Sequence, residues 1–221
     1  MKQLTIDARL RALYPSVRLG CVRYRAEVGE GNPRLWELME RETIPAVRAR
    51  LEGTPLPQFD NIRESRAAYK AFGKDPKRYR VSSEALIHRL KQGKDLYHVN
   101  TVVDANNLIS IETGFSAGSY DLARLGERLE LVLAAEGERY KGIGKEEVNI
   151  GCLPVLRDEA GFFGSPTSDS ERAMITPASS DILTVLYCFT PGDYLAEALE
   201  RAKERLREFA GAVEPRSWIV E

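Results

Sequence analysis

Four short polar side chains stand among apolar residues in the middle of the chain. The segment V-V-D-A-N-N-L carries Asp104, Asn106 and Asn107, and the segment S-Y-D carries Asp121 shortly after it. A buried carboxylate or amide must be paired, so such groups either hold a loop together or face a cleft. Because the four bracket a loop of glycine and serine, they predict a polar ligand-binding site.

That loop is G-F-S-A-G (114–118), which matches the G-x-S-x-G pattern of a serine nucleophile. The pattern needs a strand before the serine, a helix after it and a histidine later in the chain. Here the preceding residues look helical, and both histidines, His88 and His98, lie upstream. Another triad order remains open, but the favoured interpretation is that small residues such as Ser116 and Gly118 let a substrate approach the backbone.

Neither a cofactor nor a metal ion is predicted. The segment G-E-R-Y-K-G-I-G (137–144) lacks G-K-[ST] and opens no obvious helix, so it indicates a hairpin turn more than a phosphate-binding loop. The two histidines show no metal-ligand spacing. The three cysteines include no C-x-x-C pair, which favours buried, reduced thiols.

A cationic segment lies at 61–80, where seven lysine and arginine residues stand against two acidic ones. Three aromatic residues are interleaved with them. Local positive charge beside aromatic rings is what phosphate binding and base stacking require, although a solvated helix face followed by a turn has the same composition. The predicted nucleic-acid contacts are Lys70, Lys74, Lys77, Arg78 and Arg80.

Helices and short strands must position these groups. Hydrophobic periodicity predicts helices over 61–72 and 99–113 and a buried strand over 182–189. A hairpin is predicted around 158–161. The last helix, at about 191–211, shows one apolar stripe and therefore serves as support for the site.

The N-terminal part predicts a strand and an interrupted helix. Residues 17–28 alternate between apolar and polar types, but the parity changes at Cys21–Val22, which indicates a β-bulge or a change of face. Asn32–Pro33 begins a helix that runs to about Leu51, and Pro45 must kink or break it.

The overall composition is that of a globular protein, with 43% hydrophobic and 29% charged residues among 221. A net charge of -1 argues neither for nor against a nucleic-acid partner, so local clusters must decide. We find no N-terminal charged region followed by an apolar run, and no apolar run of about 18 residues. A cytoplasmic protein that contacts no membrane is therefore expected.

Four segments follow one another in a recognisable order. They are S-R-A-A-Y-K-A-F-G-K-D-P-K-R-Y-R-V-S-S-E-A-L (65–86), N-T-V-V-D-A-N-N-L-I-S-I-E-T-G-F-S-A-G-S-Y-D (100–121), G-E-R-Y-K-G-I-G (137–144) and F-G-S-P-T-S-D-S-E-R (163–172). Together they resemble the B3/B4 domain family, which occurs within the β subunit of bacterial phenylalanyl-tRNA synthetase and as freestanding small proteins. The similarity is closer to the freestanding branch.

The resemblance implies a compact α+β fold with a mixed β-sheet flanked by helices. It also implies one domain over residues 1–221, with the motif-bearing core at about 58–190. In the synthetase this domain proofreads: it hydrolyses tyrosine wrongly esterified to the phenylalanine tRNA. Two positions depart from the synthetase. Gly118 stands where the synthetase has a histidine that helps hold the substrate, and Val185 stands where a glutamate contacts the amino acid.

Losing both groups argues against tyrosine as the substrate, because a phenol is told from a phenyl ring by a group that hydrogen-bonds its hydroxyl. The leading hypothesis is a trans-acting protein that hydrolyses a mischarged aminoacyl-tRNA by attack of water on the ester, with Asp121 or Asp104 holding that water. The alternative is a non-catalytic module that binds tRNA or an amino-acid-like ligand. The predicted substrate-binding residues are Asn106, Asn107, Ser116, Gly118, Tyr120, Tyr140, Gly142, Gly144 and Thr176.

Overall fold

The computed structural model describes residues 2–221 and shows seven α-helices and ten β-strands within them. The helices are α1 (Ala8–Leu13), α2 (Pro33–Leu38), α3 (Ile44–Gly53), α4 (Asp60–Ala71), α5 (Ser82–Lys91), α6 (Thr101–Thr113) and α7 (Tyr194–Ala210). The strands are β1 (Gln3–Ile6), β2 (Arg18–Arg25), β3 (Ser116–Asp121), β4 (Arg128–Leu133), β5 (Arg139–Lys141), β6 (Glu147–Asn149), β7 (Pro154–Asp158), β8 (Gly161–Gly164), β9 (Asp181–Cys188) and β10 (Val213–Val220).

The strands form two four-stranded sheets and one hairpin. Sheet A has the order β1-β4-β7-β8 and is mixed, because β1 pairs with β4 in parallel and the other neighbours are antiparallel. Sheet B has the order β10-β2-β9-β3 and is antiparallel throughout. Strands β5 and β6 form the hairpin. The predicted α+β class is confirmed, with the β content divided between two sheets.

Strands β2, β9 and β3 of sheet B are buried on both faces, and this corrects the prediction for β2. Leu19 and Cys21 face sheet A, whereas Val22 and Tyr24 face the helical layer that includes α6 and α7. The pairing of β2 with β9 runs from Arg18 to Arg25 without a register shift. The predicted bulge is wrong: alternate residues are apolar on both sides because both sides are covered, as in a central strand.

Helix α7 approaches sheet B closely where β2 carries Gly20. A Cβ atom at this position would lie 2.8 Å from Leu195 Cδ1 and 3.0 Å from Leu199 Cδ2. Glycine therefore sets how near the apolar stripe of α7 comes to the sheet. The helix begins at Tyr194, a few residues later than predicted, and ends at Gly211 in a left-handed conformation. The strand that follows it, β10, was not predicted.

The helix interruption predicted near Pro45 is confirmed: a π-helical turn at Met39–Thr43 separates α2 from α3. The Ile44 amide donates to the Met39 carbonyl five residues earlier, which is the π pattern. Proline has no amide proton to donate and crowds the preceding turn, so the wider turn accommodates it. The helices at 61–72 and 99–113, the hairpin at 158–161 and the buried strand at 182–189 are also confirmed.

A buried polar chain joins α6 to three strands of sheet B. Asn106 on α6 donates to Ser119 Oγ at 2.8 Å, and Ser119 Oγ lies 2.5 Å from Thr184 Oγ1 on β9. Thr184 Oγ1 in turn lies 3.1 Å from the hydroxyl of Tyr24 on β2. Each member has a partner, so the chain fixes how α6 docks without leaving a buried polar group unpaired.

We predict that Asn106→Leu lowers the free energy of unfolding by about 2 kcal/mol. The leucine keeps the volume but removes both hydrogen bonds between Asn106 and Ser119, each of which contributes about 0.5–1.5 kcal/mol. Urea unfolding followed by circular dichroism measures the change. Asn107→Leu, one residue further along α6 and only partly buried, is the matched control and should change stability by less than about 0.5 kcal/mol.

Candidate functional site

All four motif segments meet at the loop formed by residues 165–170. Tyr69, from the first segment, places its hydroxyl 2.8 Å from Thr167 Oγ1. Tyr140, from the third segment, donates to the backbone carbonyl of Ser168. The 165–170 loop therefore receives tyrosine hydroxyls from α4 and β5, which lie far apart in the chain.

The second segment reaches the same loop through Tyr120 on β3. Its hydroxyl donates to Asp169 Oδ1 at 2.8 Å and lies 2.6 Å from the hydroxyl of Tyr187 on β9. Because Tyr120 gives its one proton to the carboxylate, it accepts from Tyr187. The two hydroxyls and the carboxylate thus form a directed chain that ends on Asp169. Tyr69, Tyr120, Tyr140 and Tyr187 are called the tyrosine cluster below.

The hairpin of β5 and β6 lies against this loop through its backbone. Gly142 forms an isolated antiparallel bridge with Ser170, and the Ile143 amide donates to the Asp169 carbonyl at 3.1 Å. Gly144 adopts a positive φ of 65° in the turn, which glycine does at little cost. The glycine-rich segment therefore acts as the hairpin predicted for it and helps to hold the backbone of Asp169.

The Tyr120 hydroxyl is enclosed between two glycines. A Cβ at Gly118 would lie 2.5 Å from that oxygen, and a Cβ at Gly164 would overlap it and come within 2.5 Å of Tyr120 Cε1. Gly118 is also paired directly with Val185 across β3 and β9. The two positions that depart from the synthetase are therefore neighbours, and the end of the Tyr120 side chain lies over Gly118.

Asp169 is the carboxyl group at the centre of this cluster. Oδ1 accepts from the Tyr120 hydroxyl and from the Ser165 amide at 3.1 Å. Desolvation by burial raises the pKa of Asp169 from 3.8 to about 6, although the hydrogen bonds from Tyr120 and Ser165 oppose that rise. Burial likewise raises the pKa of Tyr120 and of Tyr187 well above 10, so both stay protonated at neutral pH.

Asp104 lies outside the cluster. Its Oδ1 accepts from the Val99 amide at 3.0 Å, and its Oδ2 accepts from Trp36 Nε1 at 3.2 Å. The Trp36 ring stacks on His98 with the centroids 3.6 Å apart. Burial raises the pKa of Asp104. These contacts join α2 to the start of α6, and a catalytic role for Asp104 stays a prediction.

Asp121 and Thr176 are brought together at the far end of β3. Asp121 Oδ1 accepts from the Ala123 amide at 3.0 Å, and Oδ2 accepts from Ser179 Oγ at 2.8 Å. The Thr176 amide donates to the same Ser179 hydroxyl at 3.0 Å. Both oxygens of Asp121 are thus engaged with the protein, and its proposed catalytic role stays a prediction.

Ser116 is buried and faces α5. Its hydroxyl accepts from the Ser83 amide at 3.1 Å and donates to Ser83 Oγ at 3.2 Å. No histidine side chain contacts it among residues 2–221. The Ala117 amide donates to Ser110 Oγ at 3.0 Å. This segment therefore ties β3 to two helices, and nothing in these contacts activates Ser116 as a nucleophile.

The cationic segment divides into engaged and exposed groups. Lys74 donates to the Gly151 carbonyl and lies over the Tyr79 ring, and Arg80 lies 3.7 Å from the buried Glu84. The exposed cations without a carboxylate partner in the described part of the chain are Lys70, Lys77 and Arg78. They are the members of the predicted set that remain available to phosphates.

The structure adds residues that the sequence reasoning did not name. Asp169 and Ser165 belong to the fourth motif, where a carboxylate inside a Gly/Ser/Pro loop was the available signal. Tyr187 lies in the apolar run over 182–189, where the hydrophobic pattern counts tyrosine as apolar and gives no weight to its hydroxyl. Lys145, on the β5–β6 turn, approaches Ser168 Oγ at 3.5 Å and brings a cation to the same loop.

Two sizeable cavities lie elsewhere on the surface, and none of the predicted site residues lines either of them. One, of about 660 Å³, lies beside α2. The other, of about 540 Å³, opens between α3, α6 and α7, on the helical side of sheet B. Its wall includes a two-pronged ion pair in which Arg205 Nη2 lies 2.6 Å from Glu112 Oε1. Among residues 2–221, no cluster of histidine, cysteine and carboxylate side chains could hold a metal ion. No helix in this range is long and apolar enough to cross a membrane.

The fold and the site define an α+β protein whose polar centre lies where a motif loop meets the inner face of sheet B. A family model, described as the B3/4 domain, matches residues 64–211, about two-thirds of the chain. The chain therefore belongs to the B3/4 domain family.

Solved structures and curated proteins provide two further comparisons. Among solved structures, the chain is similar to an N-terminal fragment of the phenylalanyl-tRNA synthetase β subunit from Pyrococcus horikoshii, with 11% identity and a TM-score of 0.47. That similarity covers 99% of this chain and 50% of the fragment, so the chain spans half of the fragment's length. No curated protein matches the chain.

We predict that Gly164→Ala destabilises the protein by about 3 kcal/mol. The added methyl group would collide with the ring of Tyr120, which Phe163 packs against edge-on at 5.0 Å, and overpacking of this kind costs about 1–3 kcal/mol or more. Urea unfolding measures the effect. Gly31→Ala, where a Cβ meets nothing within 4 Å, should leave stability nearly unchanged. Equal stability of the two variants would contradict the enclosure of Tyr120.

We also predict that Asp169→Asn stabilises the fold by about 2 kcal/mol at pH 7.5. Because the folded state raises the pKa of Asp169, it holds the proton more tightly than the unfolded chain, and stability falls as pH rises from about 4 to about 6. Asparagine avoids burying the charge. Thermal unfolding should show the gain at pH 7.5 and a shrinking gain towards pH 4; a gain that does not vary with pH would contradict this account.

Proposed function

We propose that the protein is a trans-acting editing hydrolase that removes the amino acid from a mischarged aminoacyl-tRNA. The observation that carries the proposal is the meeting of four distant motif segments at the 165–170 loop, which supplies a carboxylate and several hydroxyls. Membership of the B3/4 domain family supports a tRNA-related role. The reaction is attack of water on the ester carbonyl.

The exposed cations provide the nucleic-acid contact in this proposal. Lys70 is exposed on α4, the helix that also carries the buried Tyr69. Lys77 and Arg78 extend the positive surface beyond α4, and Lys145 adds a charge at the 165–170 loop. A tRNA acceptor end that follows these cations reaches the loop with its 3′ ester.

The substrate is an ester, which is already activated towards water. A site can therefore accelerate its hydrolysis by holding the water and the carbonyl group in place. Asn106 and Asn107, predicted to orient the substrate, are on α6, where the amide of Asn106 is engaged by Ser119. This helix packs on the face of sheet B opposite to the tyrosine cluster, so the groups that hold the substrate in this proposal are those of the 165–170 loop. Gly118 and Val185 offer no side chain that binds a phenol, so an amino acid other than tyrosine is the expected substrate.

The direct test is hydrolysis of a panel of mischarged tRNAs labelled in the amino acid. Purified protein should release the amino acid from at least one pair at least 10-fold faster than the spontaneous reaction. Rates equal to the spontaneous rate for every pair would reject the editing function. Salt-dependent retention of tRNA without hydrolysis would instead identify a non-catalytic module that binds tRNA, and saturable binding of a free amino acid would identify a ligand-binding module.

We predict that Lys77→Ala/Arg78→Ala weakens tRNA binding and lowers the slope of log affinity against log salt concentration by about 1.5. Each lost phosphate contact removes about 0.7–0.9 from that slope. Filter binding between 50 and 200 mM salt measures it. The charge-matched control is Arg207→Ala/Arg216→Ala, on α7 and on β10 at the other edge of sheet B. If both double variants change the slope equally, the 61–80 segment is not the tRNA contact.

A further inference from the structure

The two oxygens of Asp169 have unlike surroundings. Oδ1 accepts two hydrogen bonds, from the Tyr120 hydroxyl and the Ser165 amide. Oδ2 accepts none from the residues that the structure describes, and it is not among the fully buried side-chain atoms that lack a partner. In Asp104 and Asp121, by contrast, each oxygen already accepts from a protein donor.

The unoccupied oxygen also has a defined position. A Cβ built on Gly118 would lie 3.3 Å from Asp169 Oδ2 and 2.5 Å from the Tyr120 hydroxyl, so this oxygen lies beside the end of the Tyr120 side chain over Gly118. The Ile143 amide holds the Asp169 carbonyl, and Tyr120 and Ser165 hold Oδ1, so the carboxylate is fixed on two sides. A fixed acceptor with one open lone pair is what a general base requires.

We propose that Asp169 is the general base of the ester hydrolysis, with Oδ2 taking the proton from the attacking water. The inference rests on the proposed function, and it assigns the role to a residue that lies in neither of the polar segments around the G-F-S-A-G loop. Tyr120 and Tyr187 are positioning residues, because they act on the substrate only through the orientation of the carboxylate.

The hydrolysis takes place in two steps. The water oxygen forms a bond to the ester carbonyl carbon while one water proton moves to Asp169 Oδ2. The tetrahedral intermediate then collapses, the bond between that carbon and the ribose oxygen breaks, and the proton on Asp169 passes to the ribose oxygen. The products are a free amino acid and an uncharged tRNA, and the carboxylate returns to its starting state.

The ionisation of Asp169 suits this role. With a pKa of about 6 it is a carboxylate at neutral pH and yet a stronger base than an exposed aspartate. Desolvation is the main cause of the rise, and the Tyr120 hydrogen bond works against it. The titratable and charged groups around the 165–170 loop are Tyr69, Tyr120, Tyr140, Tyr187, Lys141, Lys145, Glu171 and Arg172. Of these, Lys141 pairs with Glu171, and Arg172 pairs with Asp158.

The test compares kcat and KM of wild type and Asp169→Asn on the mischarged tRNA that wild type hydrolyses fastest. We expect kcat to fall at least 100-fold with KM within twofold, since loss of a general base costs about 10²–10⁴ in rate. Asp193→Asn, an exposed aspartate at the start of α7 on the other side of sheet B, should keep wild-type kinetics.

The pH profile supplies a second, independent readout. The wild-type kcat should fall as pH drops through about 6. Tyr120→Phe removes a hydrogen bond that lowers the pKa of Asp169, so its acidic limb should move to higher pH. A structural role for Tyr120 would lower the rate without moving the limb.

Each possible result either supports or overturns the assignment of Asp169 as the general base. An Asp169→Asn protein that keeps kcat within threefold, or that changes only KM, overturns the base and leaves the editing function standing. An inactive wild type rejects the editing function and the base together. If thermal unfolding shows that Asp169→Asn is not folded, the Tyr120→Phe profile decides, and an unmoved limb overturns the proposal.

Discussion

The burial of strands β2, β9 and β3 of sheet B on both faces is the constraint on which the rest of the structure depends. Helices cover one face and sheet A covers the other, so strands β3 and β9 run through a desolvated interior. A polar side chain on these strands must find a partner inside the protein, because water is not available to it. Ser119 and Thr184 bond to each other on the helical face, and Tyr120 and Tyr187 bond to each other on the face towards sheet A.

The two hydrogen-bonded chains end on different kinds of group. The chain from Asn106 through Ser119 and Thr184 to Tyr24 begins and ends on groups buried in the core. The chain from Tyr187 through Tyr120 ends on Asp169, whose second oxygen accepts no hydrogen bond from the described part of the chain. The first arrangement stabilises a fold. The second keeps a carboxylate at a raised pKa, which opposes stability at neutral pH and is typical of groups held in place for chemistry.

Small residues make the second arrangement possible. Gly118 and Gly164 leave the volume that the end of the Tyr120 side chain occupies, and larger residues there would collide with it. This accounts for Gly118 at the position where the resemblance places a substrate-holding histidine. The polar groups at this point come instead from Tyr120 on β3, Tyr187 on β9 and Asp169 in the 165–170 loop.

The sequence by itself determined the helices at 61–72 and 99–113, the hairpin at 158–161 and the segments that build the site, because local periodicity and turn residues depend on near neighbours. The α+β class came from the resemblance of the four motifs to a known family. Only the tertiary structure decided which polar groups meet. Asn106 and Asp104 lie two residues apart on α6 and yet join different contacts, to β3 and to Trp36. Asp169 and Tyr187 both bond to Tyr120, which lies 49 residues from Asp169 and 67 residues from Tyr187 in the sequence. The parity change in β2 was misread for the same reason, since burial on two faces is a property of the packed sheets and not of the strand alone.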